Sequence, residues 1–210
     1  MTPPTVNAYY DPLKNHMVFP AGILQAPFYS SSASIAVNLG GMGMVVGHEL
    51  THGFDDEGSQ FAGNGNLENR WSPEVCERFE KKGTYVVNQY SSYEVLPGVK
   101  LNGKLTLGEN IADLGGTKLA FAAYRALRQD APEEIIADEF TEDQQFFLAV
   151  GQLWCSKSRE EYAHHAAKVD LHSPPNFRVI GSLANLPGFA RAFSCGPGKA
   201  MTSANTCEVR

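Results

Sequence analysis

Positive charge is in short supply in this chain: 17 Lys and Arg stand against 23 Asp and Glu, a formal net charge of −6. No Lys/Arg block stands out, so a nucleic-acid partner would find no electrostatic footprint. Apolar runs are short, and none approaches the ~20 residues of a membrane span. The start, Met1-Thr2-Pro3-Pro4, lacks the basic stretch and apolar run of a signal peptide. Cysteines are few: Cys76, Cys155, Cys195 and Cys207. None has C-x-x-C spacing, which argues against a zinc–thiolate cluster, while disulfides and buried free thiols both stay open. Internal repeats are absent, as is any linker that would cut out a second domain. Residues 1–210, 43% hydrophobic, therefore read as one domain with a sizeable core.

What the chain does have is Val45-Val46-Gly47-His48-Glu49-Leu50-Thr51-His52-Gly53-Phe54, a His-Glu-x-x-His motif written into an apolar run. Histidines four apart lie one above the other on a helix, so His48 and His52 can face one metal ion. Glu49, about 100° round from His48, can flank the ion without ligating it. A catalytic zinc site needs a third protein ligand and an open position for water. Glu109, in Gly108-Glu109-Asn110-Ile111-Ala112-Asp113, is the best candidate. Asp113, four residues on and on the same helical face, is placed to accept the second ring N–H of a zinc-bound His. Two carboxylates at this spacing repel each other by a few tenths of a kcal/mol, which a nearby cation offsets.

Around these residues the pattern predicts mostly helix. Residues 5–10 and Met17-Val18-Phe19 suggest a small hairpin. Residues 23–34 look irregular, and the motif helix runs from about Ser34 to Phe54. Gly40, Gly41, Gly43 and Gly47 each cost about 1 kcal/mol relative to Ala there, acceptable where another backbone packs very close. The acidic stretch after Phe54 reads as a loop without the full spacing of a calcium-binding EF-hand. Ser72 caps a helix that starts at Pro73 and continues to about Tyr90. A short strand pair surrounds Pro97-Gly98, and a long helix follows to about Gln129. Further helices are expected at 133–138, at 141–158 capped by Thr141, at 162–169 and at 187–193, with an irregular stretch from Asp170.

Several segments together, in order along nearly the whole chain, resemble the neprilysin / endothelin-converting enzyme family of zinc metallopeptidases. They are His48-Glu49-Leu50-Thr51-His52, the Gly108–Asp113 segment, Val6-Asn7-Ala8-Tyr9-Tyr10, Phe19-Pro20-Ala21-Gly22-Ile23-Leu24, His172-Ser173-Pro174 and Phe177-Arg178-Val179-Ile180-Gly181. Cys207-Glu208-Val209 is similar to the endothelin-converting branch. The resemblance is to the C-terminal part of such enzymes. It implies an α+β, predominantly helical, thermolysin-like zincin catalytic domain with a small β-sheet. It also implies a missing N-terminal portion that roofs the site, and a membrane-anchored or secreted parent acting at the cell surface or outside.

Carried over position by position, the resemblance implies one zinc per chain on His48, His52 and Glu109, with Glu49 as general base. Asp113 would orient a ligand His, His172 would steady the oxyanion, and Arg178 would hold a substrate carbonyl beyond the scissile bond. Asn7 and the Ala8 backbone would grip the peptide as an added strand. Phe28, Met44, Val45, Leu153 and Trp154 would line an apolar pocket, although ordinary core positions look the same in sequence. The implied activity is hydrolysis of small peptides on the amino side of hydrophobic residues. A catalytically silent module that binds or scaffolds is the second reading, and loss of a ligand or of Glu49 would have favoured it. There are departures from the family pattern. Arg210 ends the chain where the family has Trp. A family cysteine is absent near Tyr85, with Cys76 some turns earlier. Cys155 and Cys195 resemble cysteines that bond to the N-terminal part.

Overall fold

The computed structural model describes residues 1–69, 71–129, 135–137, 139–196, 198–203 and 206–207. Its organising contact is a crossing of two helices, the motif helix α2 (Met44–His52) and the long α4 (Leu107–Leu127). α4 buries residues over most of its length, from Asn110 to Tyr124. Gly47 and Gly116 set the crossing distance: a Cβ on Gly47 would lie 2.8 Å from Gly116 O, and one on Gly116 would lie 2.6 Å from His48 N. This backbone-to-backbone approach explains why α2 tolerates a glycine.

The path into α2 is helical from its Ser34 cap, whose Oγ accepts from Val37 N at 3.2 Å. A short α1 (Ile35–Asn38) passes into a π-helical segment, Leu39–Gly43, before α2 begins. Gly40 and Gly41 lie against the Phe146 and Phe28 carbonyls, where no Cβ fits. The expected helix of residues 34–54 is thus present, with a widened turn just before the motif.

α3 (Pro73–Ser91) starts as anticipated, Ser72 Oγ accepting from Val75 N at 3.3 Å. It packs on α4 through a second core cluster of Val86, Tyr90, Leu101 and Leu114. The main core joins α2, α4, α5 (Glu142–Leu153) and α8 (Pro187–Ala192) through Met44, Val45, Ala120, Tyr124, Phe146, Phe147, Val150 and Phe189. Thr141 and Gln144 close a capping box at the start of α5.

The fold is predominantly helical with little strand, as expected, but four details differ. Among the described residues the strands form three separate antiparallel hairpins rather than one small sheet: β1 (Tyr9–Asp11) with β2 (His16–Val18), β3 (Glu94–Leu96) with β4 (Val99–Lys100), and β5 (Ile135–Ala137) with β6 (Phe140–Thr141). The third hairpin replaces the helix expected at 133–138, of which 133, 134 and 138 lie outside the described residues. Its β-branched Ile135-Ile136 favours strand, and Glu139 adopts a left-handed φ of 66° at the turn. The helix expected to reach residue 158 stops at Leu153, before Ser156-Lys157-Ser158, and α6 (Glu160–Val169) follows. The stretch from Asp170, read as irregular, contains α7 (Pro175–Leu183), which opens on Pro175 at its first position.

Among the described residues Cys76, Cys155 and Cys195 form no disulfide. Near where the resemblance expects a cysteine, Tyr85 Oη shares a 2.9 Å hydrogen bond with Ser203 Oγ. The tail is further held where Cys207 N donates to Asn185 Oδ1 at 3.0 Å. Glu208, Val209 and Arg210 lie outside the described residues.

Candidate active site

His48, His52 and Glu109 each offer one ligating atom, and these atoms all lie within 4.8 Å of one another. α2 supplies the imidazoles, and the first turn of α4 supplies the carboxylate. The ring tautomers follow from their outer partners. His48 Nδ1 meets Asp113 Oδ1 at 2.9 Å, and His52 Nδ1 meets Asp55 Oδ2 at 2.7 Å. With each Nδ1 donating to a carboxylate, both Nε2 atoms face inward, 3.0 Å apart, where they can share a proton or ligate a metal. Glu109 Oε2 is buried 3.3 Å from His48 Nε2 without a hydrogen bond of good geometry. With both rings neutral, two inward lone pairs and a buried carboxylate oxygen would repel one another, which either a proton on His48 or a metal cation relieves. The donor set of two imidazoles and one carboxylate suits a catalytic zinc with an open position.

The carboxylates that orient the imidazoles are themselves fixed. Asp113, fully buried, accepts from Arg178 Nε and Nη2, each at 2.7 Å. Its burial opposes ionisation, but the Arg178 guanidinium and His48 hold its carboxyl well below the usual range. Arg178 in turn stacks over Trp154, 3.8 Å from the ring centroid. Asp55 Oδ1 accepts from the backbone N–H of Glu57 and Gly58 at 2.9 and 2.7 Å. Sequence reasoning placed Asp55 in an acidic loop and gave it no role. Its only signal is a position three residues after His52.

Burial alone would lower the His48 pKa. The Asp113 and Glu109 carboxylates outweigh it and raise the value to about 9. Glu49 is buried beside the two histidines, and burial pushes its carboxyl up. For Glu109 burial works in the same sense but is outweighed by His48, His172 and His52, so its carboxyl is lowered. His172 is half-exposed, with Nε2 3.4 Å from Glu109 Oε2 and Nδ1 3.0 Å from Asp170 Oδ1. Its loop is tied to α4 where Ser173 Oγ donates to Asn110 Oδ1 at 2.6 Å.

A cleft of about 620 Å³ passes over this cluster. Asn7, Ala8, Phe28, Met44, Val45, Trp154, His172 and Arg178 line it together with His48, Glu49, His52 and Glu109. Leu153, expected on the pocket wall, does not. It packs partly buried against the main core, since neighbours on a helix point about 100° apart and Trp154 takes the cleft side.

Comparison with known proteins places the chain among relatives of known family. The chain is 50% identical to an endothelin-converting enzyme homolog of Locusta migratoria, over all of this chain and 29% of that protein. It is 49% identical to endothelin-converting enzyme 1 of Homo sapiens, over all of this chain and 27% of that one. The chain therefore spans under a third of the length of the curated relatives it matches. Among solved structures, the zinc metalloprotease of Mycobacterium tuberculosis in complex with an inhibitor superposes with a TM-score of 0.95 at 40% identity, over all of this chain and 33% of that one. The model of peptidase family M13 matches residues 7–209, nearly the whole chain, and with these relatives it shows that the chain belongs to peptidase family M13.

Proposed function

We propose that residues 1–210 form the catalytic domain of a zinc-dependent endopeptidase that cleaves small peptides on the amino side of bulky apolar residues. The observation that carries this reading is the pair of inward Nε2 atoms 3.0 Å apart, closed by Glu109 and flanked by the buried Glu49. One zinc per chain would be held by His48, His52 and Glu109, and bound there it would supply Lewis-acid activation of a water and of the scissile carbonyl.

The chain's own residues supply the rest. Glu49 takes the proton of the attacking water and delivers it to the leaving amine, a role suited to a carboxyl whose pKa burial has raised. His172, half-exposed in the cleft, donates to the oxygen that becomes negative. Arg178 uses Nε and Nη2 on Asp113, which leaves Nη1 for a substrate carbonyl. Asn7 and the Ala8 backbone, leading into β1, align the peptide as an added strand. Phe28, Met44, Val45 and Trp154 receive the side chain that follows the scissile bond. The parent is proposed to carry an N-terminal portion that roofs the cleft and to act at the cell surface or outside. No helix among the described residues is long and apolar enough to cross a membrane.

The test measures zinc content and hydrolysis of a quenched peptide for this chain and for Glu49→Gln. The expected result is one zinc in both forms, with turnover falling by about 10²–10⁴-fold in the variant. Zinc without turnover in either form would instead favour the silent binding module.

A further inference from the structure

The cleft extends past the metal cluster in a direction that the apolar pocket does not use. α2 runs from Met44 to His52, and Phe28, Met44, Val45 and Trp154 lie towards its start. Beyond its end the cleft is lined by Tyr10, Glu57 and Phe61. Three contacts hold this end against His52. A Cβ on Gly53 would lie 3.1 Å from Tyr10 Oη, and Gly58 lies directly against the His52 carbonyl. Glu57 N donates to Asp55 Oδ1, on the carboxylate that orients His52.

Two aromatic residues and one acidic residue therefore line the cleft there. Glu57 is exposed, and among the described residues its side chain has no hydrogen bond or ion pair. The surrounding charge is negative. Burial, then Asp11 and Asp55, raise the Tyr10 phenol pKa. Of the nearby cations, Lys14 is engaged with Asp11 at 3.6 Å. Lys104 shares the adjoining hollow with Glu57 but forms no ion pair with it. An exposed carboxylate in a cleft that aromatic residues also line is a receptor for an ammonium or guanidinium, by charge pairing and by cation–π contact.

We propose that Glu57, which lines this end of the cleft together with Tyr10 and Phe61, makes it a subsite for a Lys or Arg side chain on the amino-terminal side of the scissile bond. The assignment of that side rests on the endopeptidase reading, in which the apolar pocket takes the residue after the bond. The subsite itself rests on the cleft lining. Charge pairing at a half-open site and cation–π contact each contribute modestly, so the expected selectivity is roughly three- to ten-fold.

The test uses two peptides identical except for Lys or norleucine upstream of the scissile bond, each with a non-cleavable counterpart. Hydrolysis is measured as kcat/KM and binding of the non-cleavable pair as Kd, for the zinc-loaded chain, Glu57→Gln and Glu57→Lys. The expected result is a Lys preference in both readouts that shrinks at high salt, collapses towards one in Glu57→Gln and inverts in Glu57→Lys. A structural effect of the substitutions would move both peptides together and leave their ratio unchanged, which overturns the proposal, as does equal affinity in the unmodified chain. Preferential binding without any hydrolysis would support the subsite while refuting the endopeptidase reading.

Discussion

Asp55 and Asp113 perform the same task from different places, each fixing one imidazole through Nδ1. Their surroundings separate their effects. Asp55 is held by backbone N–H groups, so Asp55→Asn should weaken zinc binding by about 10–100-fold with little change in the stability of the metal-free chain. Asp113 also carries the buried Arg178, and removing one partner of such a pair costs about 3–5 kcal/mol. Asp113→Asn should therefore lower zinc affinity and also shift the urea midpoint of the metal-free protein. The raised His48 pKa makes a further prediction for that form. The proton on His48 adds stability that is complete below about 6.5, the ordinary value, and is lost as pH rises through about 9. Zinc must displace that proton, so binding at pH 7 should release protons, and affinity should fall with acidification. Titration calorimetry in buffers of different ionisation enthalpy reads the release directly. His48, Glu49, His52, Glu109 and Asp113 were all legible from spacing along helices. Asp55 was not, because its reach to His52 depends on the turn after α2 and not on any periodicity.

At the scale of elements, the site depends on how closely α2 and α4 approach. His48 and Glu109 belong to different helices, and the Gly47–Gly116 contact sets their separation. Gly47→Ala or Gly116→Ala must push the two backbones apart. Overpacking of this kind costs about 1–3 kcal/mol, and chemical denaturation should show it. Zinc affinity should fall as well, since the third ligand moves with α4. Sequence reasoning marked the glycines as costly in a helix and allowed for a close neighbour without saying which one. The starts of α3 and α5 were plain because Ser72 and Thr141 are local caps. α7 was missed although Pro175 opens it, because the whole stretch from Asp170 read as irregular. That omission hid how Arg178 arrives beside Asp113.

Across the whole molecule, the candidate metal cluster of His48, His52 and Glu109 joins two helices that otherwise meet through glycines and a shared core. Metal bound only by the folded chain stabilises it by RT ln(1 + [L]/Kd), about 2.7 kcal/mol at a hundredfold excess over Kd. Chelation should therefore lower the Tm of the unmodified chain, and should lower that of His52→Ala much less. The apolar core is the other joint. Phe147 is buried among Phe121, Phe146 and Phe189, and Phe147→Ala should cost about 3–5 kcal/mol by leaving a cavity. This variant should keep its zinc ligands when folded, so thermal stability and metal content should part company.

The sequence by itself determined the chemistry along each helix: ligands four apart, a carboxyl beside them, caps, and apolar faces of the right period. These are local properties, fixed by helical geometry and side-chain type. Only the tertiary structure decided which residues meet across elements. It placed Asp55 on His52, Arg178 between Asp113 and Trp154, Leu153 in the core instead of the cleft, and Glu57 with Tyr10 and Phe61 beyond the metal cluster. Such meetings depend on how chain segments far apart or in irregular loops pack together, which no spacing along the chain encodes.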